Sequence, residues 1–234
     1  MGNLYIVATP IGNLQDISLR AVDILSLVDF ILCEDTRKTS VLIKYIQKQF
    51  PNVKIKARLI SFYEENEMQR LPEILQMLNK DFNFALVSDA GTPAISDPGF
   101  KLIRDCKLLG IKVVSIPGAS SVISALVSSG LPTDKFMFLG FLPKKPGHRK
   151  DLLKNVKKTL KIVKQTVIFF ESPFRLVETL KELSDVFGDI DVVTARELTK
   201  LYEEVRKEKL SESIKHYENT NPKGEFVILF NSEI

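Results

Sequence analysis

The feature that most restricts the fold of this sequence is a repeated alternation of short apolar segments with longer segments of helical periodicity. In the first half, apolar runs are found at 4–8, 30–33, 58–61, 84–88 and 112–116, and helical patterns at 18–27, 39–50, 67–80 and 100–109. Strands that are apolar at consecutive positions are typical of a parallel sheet covered on both faces. We therefore predict an N-terminal α/β domain built on a parallel sheet.

The second half also alternates, but its spacing is less regular. Strand patterns are found at 136–141, 166–170, 190–195 and 225–230, and helical patterns at 149–165 and 174–187. The stretch 203–209 is highly charged and has no clear pattern. With the boundary placed near Pro117 and Gly118, we predict α/β domains over 1–117 and 118–234.

Composition excludes several classes of protein. Apolar residues make up 44% of the 234, which is enough for a core and unlike a disordered chain. No apolar run is long enough to cross a bilayer, and the first residues lack the features of a signal peptide, so we expect a cytoplasmic protein. Two cysteines and two histidines are too few for a disulfide framework or a multi-histidine metal site.

Basic residues are concentrated at 144–164, where only Asp151 opposes a run of lysines and arginines. On a helix, most of these cations lie opposite an apolar stripe formed by Leu152, Leu153, Val156, Leu160 and Val163. A solvated face usually mixes both signs of charge, so the pattern favours contact with RNA or DNA phosphates over a solvated face or a membrane surface. The predicted nucleic-acid contacts are Lys144, Lys145, Arg149, Lys150, Lys154, Lys157, Lys158 and Lys161.

Four loops that follow strands are rich in Gly, Pro and polar residues, and such loops bind ligands in open α/β sheets. They are 9–14, 88–99, 116–121 and 170–175. The second is long for a connection of this kind, and Asp89 within it suits a ribose hydroxyl or an ammonium group. Each loop also has a simpler interpretation, which is a tight turn for the first and helix N-caps at Asp97, Ser120 and Ser172 for the others.

These loops and four other segments together resemble the small-subunit ribosomal RNA methyltransferase I family, within the tetrapyrrole methylase superfamily. The segment Ser88–Gly99 (SDAGTPAISDPG) is the most specific, and the eight matching segments cover nearly the whole chain in order. They are 4–14, 34–37, 88–99, 116–121, 140–143, 171–173, 195–200 and 224–226.

The resemblance implies two α/β domains of the class III methyltransferase type, with a cofactor cleft between them, and usually a homodimer. It also implies S-adenosylmethionine as cofactor and methylation of the ribose 2′-hydroxyl of a cytidine in the decoding region of 16S ribosomal RNA, within the small ribosomal subunit. Carried over residue by residue, the cofactor-binding residues are Pro10, Gly12, Asp89, Ala94, Ile95, Asp97, Ser120, Ser121, Phe141, Leu142, Pro222 and Gly224.

The sequence departs from the family's pattern in three places. Tyr63 and Glu65 stand where members often carry two histidines, and Phe174 stands where many carry another. Many members also continue for a few dozen residues beyond the position of Ile234. A histidine base is therefore not expected at positions 63 and 65.

A ribose hydroxyl is a poor nucleophile, so we expect a general base or a nearby cation to assist it. The candidate bases are the carboxylates Asp35, Glu64, Glu171 and Glu197, and the candidate cations are Arg37, Arg175 and Lys200. We predict Glu171 as the catalytic carboxylate, because it ends an apolar strand within a matching segment, and Asp35 and Arg37 as further catalytic residues. Composition alone would also allow the segments 33–39 and 195–200 to be solvated turns.

Two other functions remain open. One is a methyltransferase that acts on a tetrapyrrole, which the basic segment disfavours because a small macrocycle needs no stripe of cations. The other is a non-catalytic ribosome assembly factor, which the cofactor loops disfavour. RNA binding that weakens steeply with salt would exclude the first, and measurable cofactor affinity would exclude the second.

Overall fold

The computed structural model describes residues 1–231 of the chain. The chain divides into two units, Met1–Ser120 and a second that begins at Ser121. Each unit has its own five-stranded sheet and its own hydrophobic core. None of the helices within residues 1–231 is long and apolar enough to span a membrane.

The first unit alternates strands and helices throughout. Its strands are β1 (Asn3–Val7), β2 (Phe30–Cys33), β3 (Arg58–Ser61), β4 (Phe84–Leu86) and β5 (Lys112–Ile116), and its helices are α1 (Leu19–Leu27), α2 (Thr36–Gln49), α3 (Glu67–Asn79) and α4 (Phe100–Leu108). The strands lie in the order β3-β2-β4-β1-β5, and every neighbouring pair is parallel. The predicted parallel sheet is therefore confirmed.

Helices cover both faces of this sheet, which explains why its strands are apolar at successive positions. Leu25 of α1 and Ile46 of α2 pack on one face, and Leu71 of α3 and Leu102 of α4 pack on the other. The chain that leaves β1 therefore passes to one face, and the chain that leaves the neighbouring strand β4 passes to the other. Such a divergence opens a crevice at the carboxyl edge of the sheet, where open α/β sheets bind ligands.

The second unit is a mixed α/β structure. Its elements are α5 (Ser121–Ser128), β6 (Phe136–Phe141), α6 (Pro146–Ile162), β7 (Thr166–Glu171), α7 (Leu176–Phe187), β8 (Asp191–Arg196), β9 (Glu204–Lys209), α8 (Leu210–Thr220) and β10 (Phe226–Phe230). The sheet order is β6-β7-β10-β8-β9, in which β6 and β7 are parallel and the other neighbours are antiparallel. Helices α6, α7 and α8 share one core with the sheet, and α5 packs against β7 and β10.

Two predicted helix N-caps are wrong. Asp97 does not cap α4, because that helix begins at Phe100 after Gly99, whose φ of 128° turns the chain just before the helix. Ser172 does not cap α7 either, since α7 begins at Leu176. Ser172 instead closes the preceding turn, where its hydroxyl accepts from the Phe174 amide at 3.3 Å and its carbonyl accepts from the Arg175 amide at 3.0 Å.

Other element boundaries also differ from the prediction. Helix α2 begins three residues early, at Thr36, because the Asp35 carboxylate accepts from the Arg37 amide at 2.8 Å and so caps the helix. The charged stretch 203–209, which has no clear sequence pattern, contains the edge strand β9, whose residues alternate between half-buried and exposed. Helix α8 follows it and was not predicted.

Candidate functional site

At the carboxyl edge of the first sheet, three predicted ligand-binding loops are joined by hydrogen bonds. The backbones of Thr9 and Gly91 form a two-way bridge, with N–O distances of 2.9 and 3.1 Å. The Thr9 hydroxyl donates to the Ser88 carbonyl at 3.0 Å, and the Thr92 hydroxyl donates to the Ala119 carbonyl at 3.2 Å. The loops after β1, β4 and β5 therefore form one connected surface, although they are far apart in sequence.

The loop 88–99 has a strained backbone. Gly91 and Gly99 have positive φ, and so do two residues with side chains, Ala94 (66°) and Ser96 (64°). A Cβ at Gly99 would lie 2.4 Å from Leu86 Cδ2, so this position requires glycine. Non-glycine residues in the left-handed region each cost about 1–3 kcal/mol and are concentrated at functional sites.

Carboxylates from the ends of β2 and β4 meet beside this loop. The Asp89 carboxylate accepts from the Asp35 amide at 3.1 Å and from Lys38 Nζ at 2.7 Å, and the Glu34 carboxylate accepts from the Asp89 amide at 3.2 Å. Asp97 lies close enough to Glu34 and Asp89 for both to affect its titration. We call Glu34, Asp89 and Asp97 the acidic cluster. Sequence reasoning missed Glu34 as a site residue, although it directly follows a buried strand.

The acidic cluster holds more negative charge than its surroundings neutralise. The pKa of Asp97 is raised to about 7, mainly by burial, and the negative charges of Glu34 and Asp89 contribute to the rise. A hydrogen bond from Ser88 acts in the opposite direction and lowers it, but does not outweigh the other effects. Burial also raises the pKa of Glu34, assisted by the charge of Asp89. A bound cation would stabilise the ionised forms of both acids.

Asp35 and Arg37, two predicted catalytic residues, are paired at the start of α2. Arg37 Nε and Nη2 donate to the Asp35 carboxylate at 3.0 and 2.7 Å, while the guanidinium remains largely exposed. These hydrogen bonds, together with the one from the Arg37 amide, lower the pKa of Asp35 to about 2. Asp35 is therefore ionised near neutral pH and is a weak proton acceptor there.

The other predicted cofactor residues of the first unit lie on the same edge. Pro10 is buried next to the Thr9 bridge, and Gly12 is exposed in the turn that follows. Ala94 and Ile95 lie in the strained loop, with Ile95 exposed. Ser120 ends the first unit, and Ser121 is the first residue of α5.

The second unit presents the third predicted catalytic residue, Glu171, at the end of β7. Its side chain is fully buried, and one oxygen accepts from the Ser172 amide at 2.7 Å and pairs with Arg175 Nη2 at 2.7 Å. The other oxygen accepts from the Thr179 hydroxyl at 2.6 Å. Arg175 Nη1 also donates to the Leu142 carbonyl at 3.2 Å, so Glu171 holds Arg175 across the ends of β6 and β7.

Phe141 and Leu142 have different environments. Gly140, at a φ of 65°, lies in an irregularity of the β6–β7 pairing, after which Phe141 is exposed. The Leu142 side chain is buried in the hydrophobic core, and its carbonyl accepts from Arg175 Nη1. The sequence did not indicate this difference in exposure, because both residues are apolar.

The predicted residues Pro222 and Gly224 lie in the segment before β10, next to the loop after β8. Glu197 Oε1 accepts from the Glu225 amide at 3.0 Å and from Lys200 Nζ at 2.9 Å. A Cβ at Gly224 would lie 2.5 Å from Glu197 Cγ, so only glycine allows this approach. Burial opposes ionisation of Glu197, but the hydrogen bonds from Lys200 and Glu225 outweigh it and lower its pKa.

The basic helix α6 differs from its prediction at one residue. Arg149 has an exposed fraction of 0%, and its guanidinium pairs with Glu182 and Glu178 of α7, with Nη2 2.9 Å from Glu178 Oε1. The prediction of Arg149 as a nucleic-acid contact is therefore wrong. Arg149 lies four residues before Leu153, and this places it on the buried face of the helix.

The lysines predicted on α6 remain accessible to different degrees. Lys150 pairs with Asp185 at 3.2 Å, Lys154 with Asp151 at 3.7 Å, and Lys157 donates to the Val186 carbonyl. None of the ion pairs formed within residues 1–231 involves Lys144, Lys145, Lys158 or Lys161, all of which are exposed. These four lysines are the most available to an anionic partner.

Comparison with known proteins identifies the family. The family described as Tetrapyrrole (Corrin/Porphyrin) Methylases matches residues 3–213. A protein of Thermotoga maritima named Ribosomal RNA small subunit methyltransferase I is 46% identical over 234 residues, which is 100% of both chains. The chain belongs to the ribosomal RNA small subunit methyltransferase I family.

A second relative agrees with this assignment, and two solved structures share the fold. The protein of the same name from Vibrio cholerae is 45% identical over 97% of this chain and 76% of its own length. The crystal structure of diphthine synthase matches 99% of this chain and 90% of its own with a TM-score of 0.70 at 15% identity. The crystal structure of uroporphyrin-III-C-methyltransferase from Thermus thermophilus matches 98% of this chain and 94% of its own, with a TM-score of 0.64 at 16% identity. The tetrapyrrole methylase fold predicted from the resemblance is thereby confirmed, and membership makes the chain a methyltransferase.

Proposed function

We propose that this methyltransferase transfers a methyl group from S-adenosylmethionine to the ribose 2′-hydroxyl of a cytidine in the decoding region of small-subunit ribosomal RNA. The observation that carries the proposal is the 46% identity over the full length of the Thermotoga maritima protein, whose name specifies ribosomal RNA of the small subunit. A homodimer is part of the proposal, and a ribosomal substrate would place the enzyme in the cytoplasm.

The donor chemistry of the first unit fits S-adenosylmethionine. When bound, this cofactor supplies an activated methyl group on a positively charged sulfonium, and it also carries an ammonium group. Asp89, Asp97 and Glu34 would offer carboxylates to these charges and to the ribose hydroxyls, and the raised pKa values of Asp97 and Glu34 indicate that the acidic cluster accommodates added positive charge. The rest of the proposed cofactor-binding set is Pro10, Gly12, Ala94, Ile95, Ser120, Ser121, Phe141, Leu142, Pro222 and Gly224.

The proposed catalytic residues have different roles. Arg37 is exposed and would stabilise the negative charge that develops on the hydroxyl oxygen, or hold a flanking phosphate. Asp35 would position the Arg37 guanidinium through its paired hydrogen bonds. Glu171 can accept a substrate proton only by giving up a contact to Ser172, Arg175 or Thr179. The test of its role is Glu171→Gln. If this variant keeps full turnover and normal cofactor affinity, Glu171 is not a catalytic residue.

RNA binding is assigned to the accessible lysines of the second unit. Lys144, Lys145, Lys158 and Lys161 would contact phosphates directly, and Lys150, Lys154 and Lys157 would join them by exchanging their present partners. Each phosphate contact releases a counterion, so the logarithm of the affinity should fall linearly with the logarithm of the salt concentration.

The deciding experiment is methyl transfer from labelled S-adenosylmethionine to small ribosomal subunits, in parallel with naked ribosomal RNA, followed by mapping of the labelled nucleotide. We expect label on one cytidine ribose, and the sample that contains it identifies the form of the substrate. Cofactor binding without label on either RNA sample would overturn the ribosomal assignment and favour the tetrapyrrole alternative.

A further inference from the structure

The loops after β6, β7 and β8 lie on one edge of the second sheet, at nearly one level. Glu171 at the end of β7 and Arg196 at the end of β8 are both in register with Phe226 of β10, and Phe141 at the end of β6 is in register with Phe170. Neighbouring strands are about 4.8 Å apart, so the loops after β7 and β8 start about 10 Å from each other. We call this surface the loop edge.

Phe174 is the most exposed large apolar residue of the loop edge, with an exposed fraction of 97%. Burial of a phenylalanine side chain stabilises a fold by about 1.5–3 kcal/mol, and Phe174 contributes none of this. A single exposed apolar residue is common on protein surfaces, so the exposure alone indicates no function.

The backbone that carries Phe174 is held by contacts on both sides of the residue. Pro173 precedes it, the Phe174 amide is bound by the Ser172 hydroxyl, and Arg175 follows it. Arg175 is held by the buried Glu171 carboxylate at 2.7 Å and by the Leu142 carbonyl at 3.2 Å. The ring is therefore presented to solvent from a backbone that these contacts hold in place, which should reduce the entropy lost when a partner binds.

Other residues of the loop edge have complementary properties. Tyr202, in the loop after β8, is 69% exposed. Lys144 and Lys145, in the loop after β6, are exposed and take part in none of the ion pairs within residues 1–231, and α6 with its further lysines begins directly after them. Exposed aromatic rings together with lysines are the combination that binds unpaired RNA, through base stacking and phosphate contacts respectively.

We propose that the Phe174 ring stacks on an unpaired base of the RNA substrate next to the methyl-accepting nucleotide, while Lys144 and Lys145 contact its flanking phosphates. The inference rests on the proposed function and adds a specific RNA-positioning residue to it. Phe174 lies three residues after Glu171, within the set of proposed site residues on this edge, so a base held there would orient its neighbour for methyl transfer.

The first test compares Phe174→Ala, Phe174→Leu and Phe174→Tyr with the unaltered enzyme in methyl transfer to small ribosomal subunits. Loss of stacking should lower kcat/KM for the subunits by about 5- to 150-fold in the Ala and Leu variants, mainly through KM, and the Tyr variant should stay within about threefold. Affinity for S-adenosylmethionine and the melting temperature should not change, because the side chain is exposed. Phe136→Ala is the matched control, since Phe136 starts β6 at the opposite edge of the same sheet.

The second test uses the absence of tryptophan from the sequence. Phe174→Trp gives a protein with a single tryptophan, whose fluorescence a stacked base would quench. We expect quenching when an RNA oligonucleotide spanning the mapped nucleotide is added, and none for Phe136→Trp.

The possible failures can be told apart. If the unaltered enzyme methylates subunits and Phe174→Ala does so equally well, the stacking proposal is wrong and the proposed function stands. If Phe174→Leu is as active as Phe174→Tyr, the contact is apolar packing and not stacking. If Phe174→Ala changes the molecular mass of the protein's assembly in solution, the ring belongs to a contact between subunits and the stacking proposal is wrong. If the unaltered enzyme labels no RNA, the proposed function and this inference fail together.

Discussion

Asp35 and Asp97 lie at the carboxyl edge of one parallel sheet, yet their surroundings give them opposite acid–base properties. Asp35 receives hydrogen bonds from Arg37, which hold its pKa at about 2. Asp97 is partly buried beside two other carboxylates, which raises its pKa to about 7. The sequence shows only two aspartates in loops between a strand and a helix, so the difference follows from three-dimensional partners that residue type and spacing do not reveal.

The raised pKa of Asp97 makes the stability of the protein depend on pH. Between its ordinary value of 3.8 and about 7, Asp97 binds more protons in the folded than in the unfolded state, so stability falls as pH rises through this window. From pH 5 to pH 8 the loss is at most about 3 kcal/mol, at about 1.4 kcal/mol for each pH unit below the folded pKa. In the Asp97→Asn variant this loss should be absent. Urea unfolding at pH 5 and pH 8 should therefore show that the stability of the variant relative to the unaltered protein is higher at pH 8 than at pH 5. If Asp97→Asn changed the stability by the same amount at pH 5 and at pH 8, this prediction would be wrong.

Arg149 shows how one buried charge determines the effect of a substitution. Arg149→Met should destabilise the protein by about 3–5 kcal/mol, because it leaves Glu182 without its cation inside the α6–α7 contact. Arg149→Met combined with Glu182→Met should recover most of the loss, because the buried carboxylate is removed together with its cation, and Glu178, which also pairs with Arg149, is exposed to solvent. Denaturant unfolding measures both, and Lys158→Met on the exposed face of α6 serves as control, with an expected change within about 0.5 kcal/mol. Equal effects of Arg149→Met and Lys158→Met would show that the buried pair contributes nothing.

At the scale of elements, the sequence predicts best where a pattern reports burial directly. The strands β2, β3, β5 and β6 have the predicted bounds, because each is a short apolar run between turn residues. The prediction fails where a side chain makes a contact that periodicity cannot show. Thus the Asp35 cap starts α2 early, and β9 is built from a charged stretch that only its pairing with β8 makes a strand.

Helix α6 includes both correct and wrong predictions. Three of its predicted apolar positions, Leu153, Val156 and Leu160, are buried, and Leu152 is half-buried. Val163 is exposed, because the helix ends before it at Ile162. Arg149 continues the same face one turn earlier, so the spacing contains the information that it is buried, but its charge favoured an assignment to the outer face. The acidic cluster and the loop edge could be predicted only as separate segments, because each is assembled from loops that the order of the strands brings together.

At the scale of the whole molecule, the acidic cluster and the predicted RNA-binding lysines of α6 lie in different units. The acidic cluster belongs to the first unit, whereas the lysines of α6 and the ring of Phe174 belong to the second. Under the proposed function, a cationic cofactor at the acidic cluster and an anionic RNA at these lysines would favour opposite local charges, and the separation would let a single chain bind both.

The separation predicts that affinity for S-adenosylmethionine and affinity for RNA can be altered independently. Asp97→Asn should raise the Kd for S-adenosylmethionine by about 10-fold or more, the loss expected for a contact with a charged group, and leave the Kd for small-subunit RNA unchanged. Lys158→Gln with Lys161→Gln should do the reverse, weakening RNA binding and reducing the slope of log affinity against log salt by about 2. Two controls make the same charge changes elsewhere in the first unit. The control for Asp97→Asn is Asp105→Asn on α4, and the control for the lysine pair is Lys107→Gln with Lys112→Gln. Both controls should leave the two affinities near those of the unaltered protein. If Asp97→Asn weakened RNA binding as much as cofactor binding, the acidic cluster would be serving the RNA as well, and the assignment of the two charges to two separate ligands would be wrong.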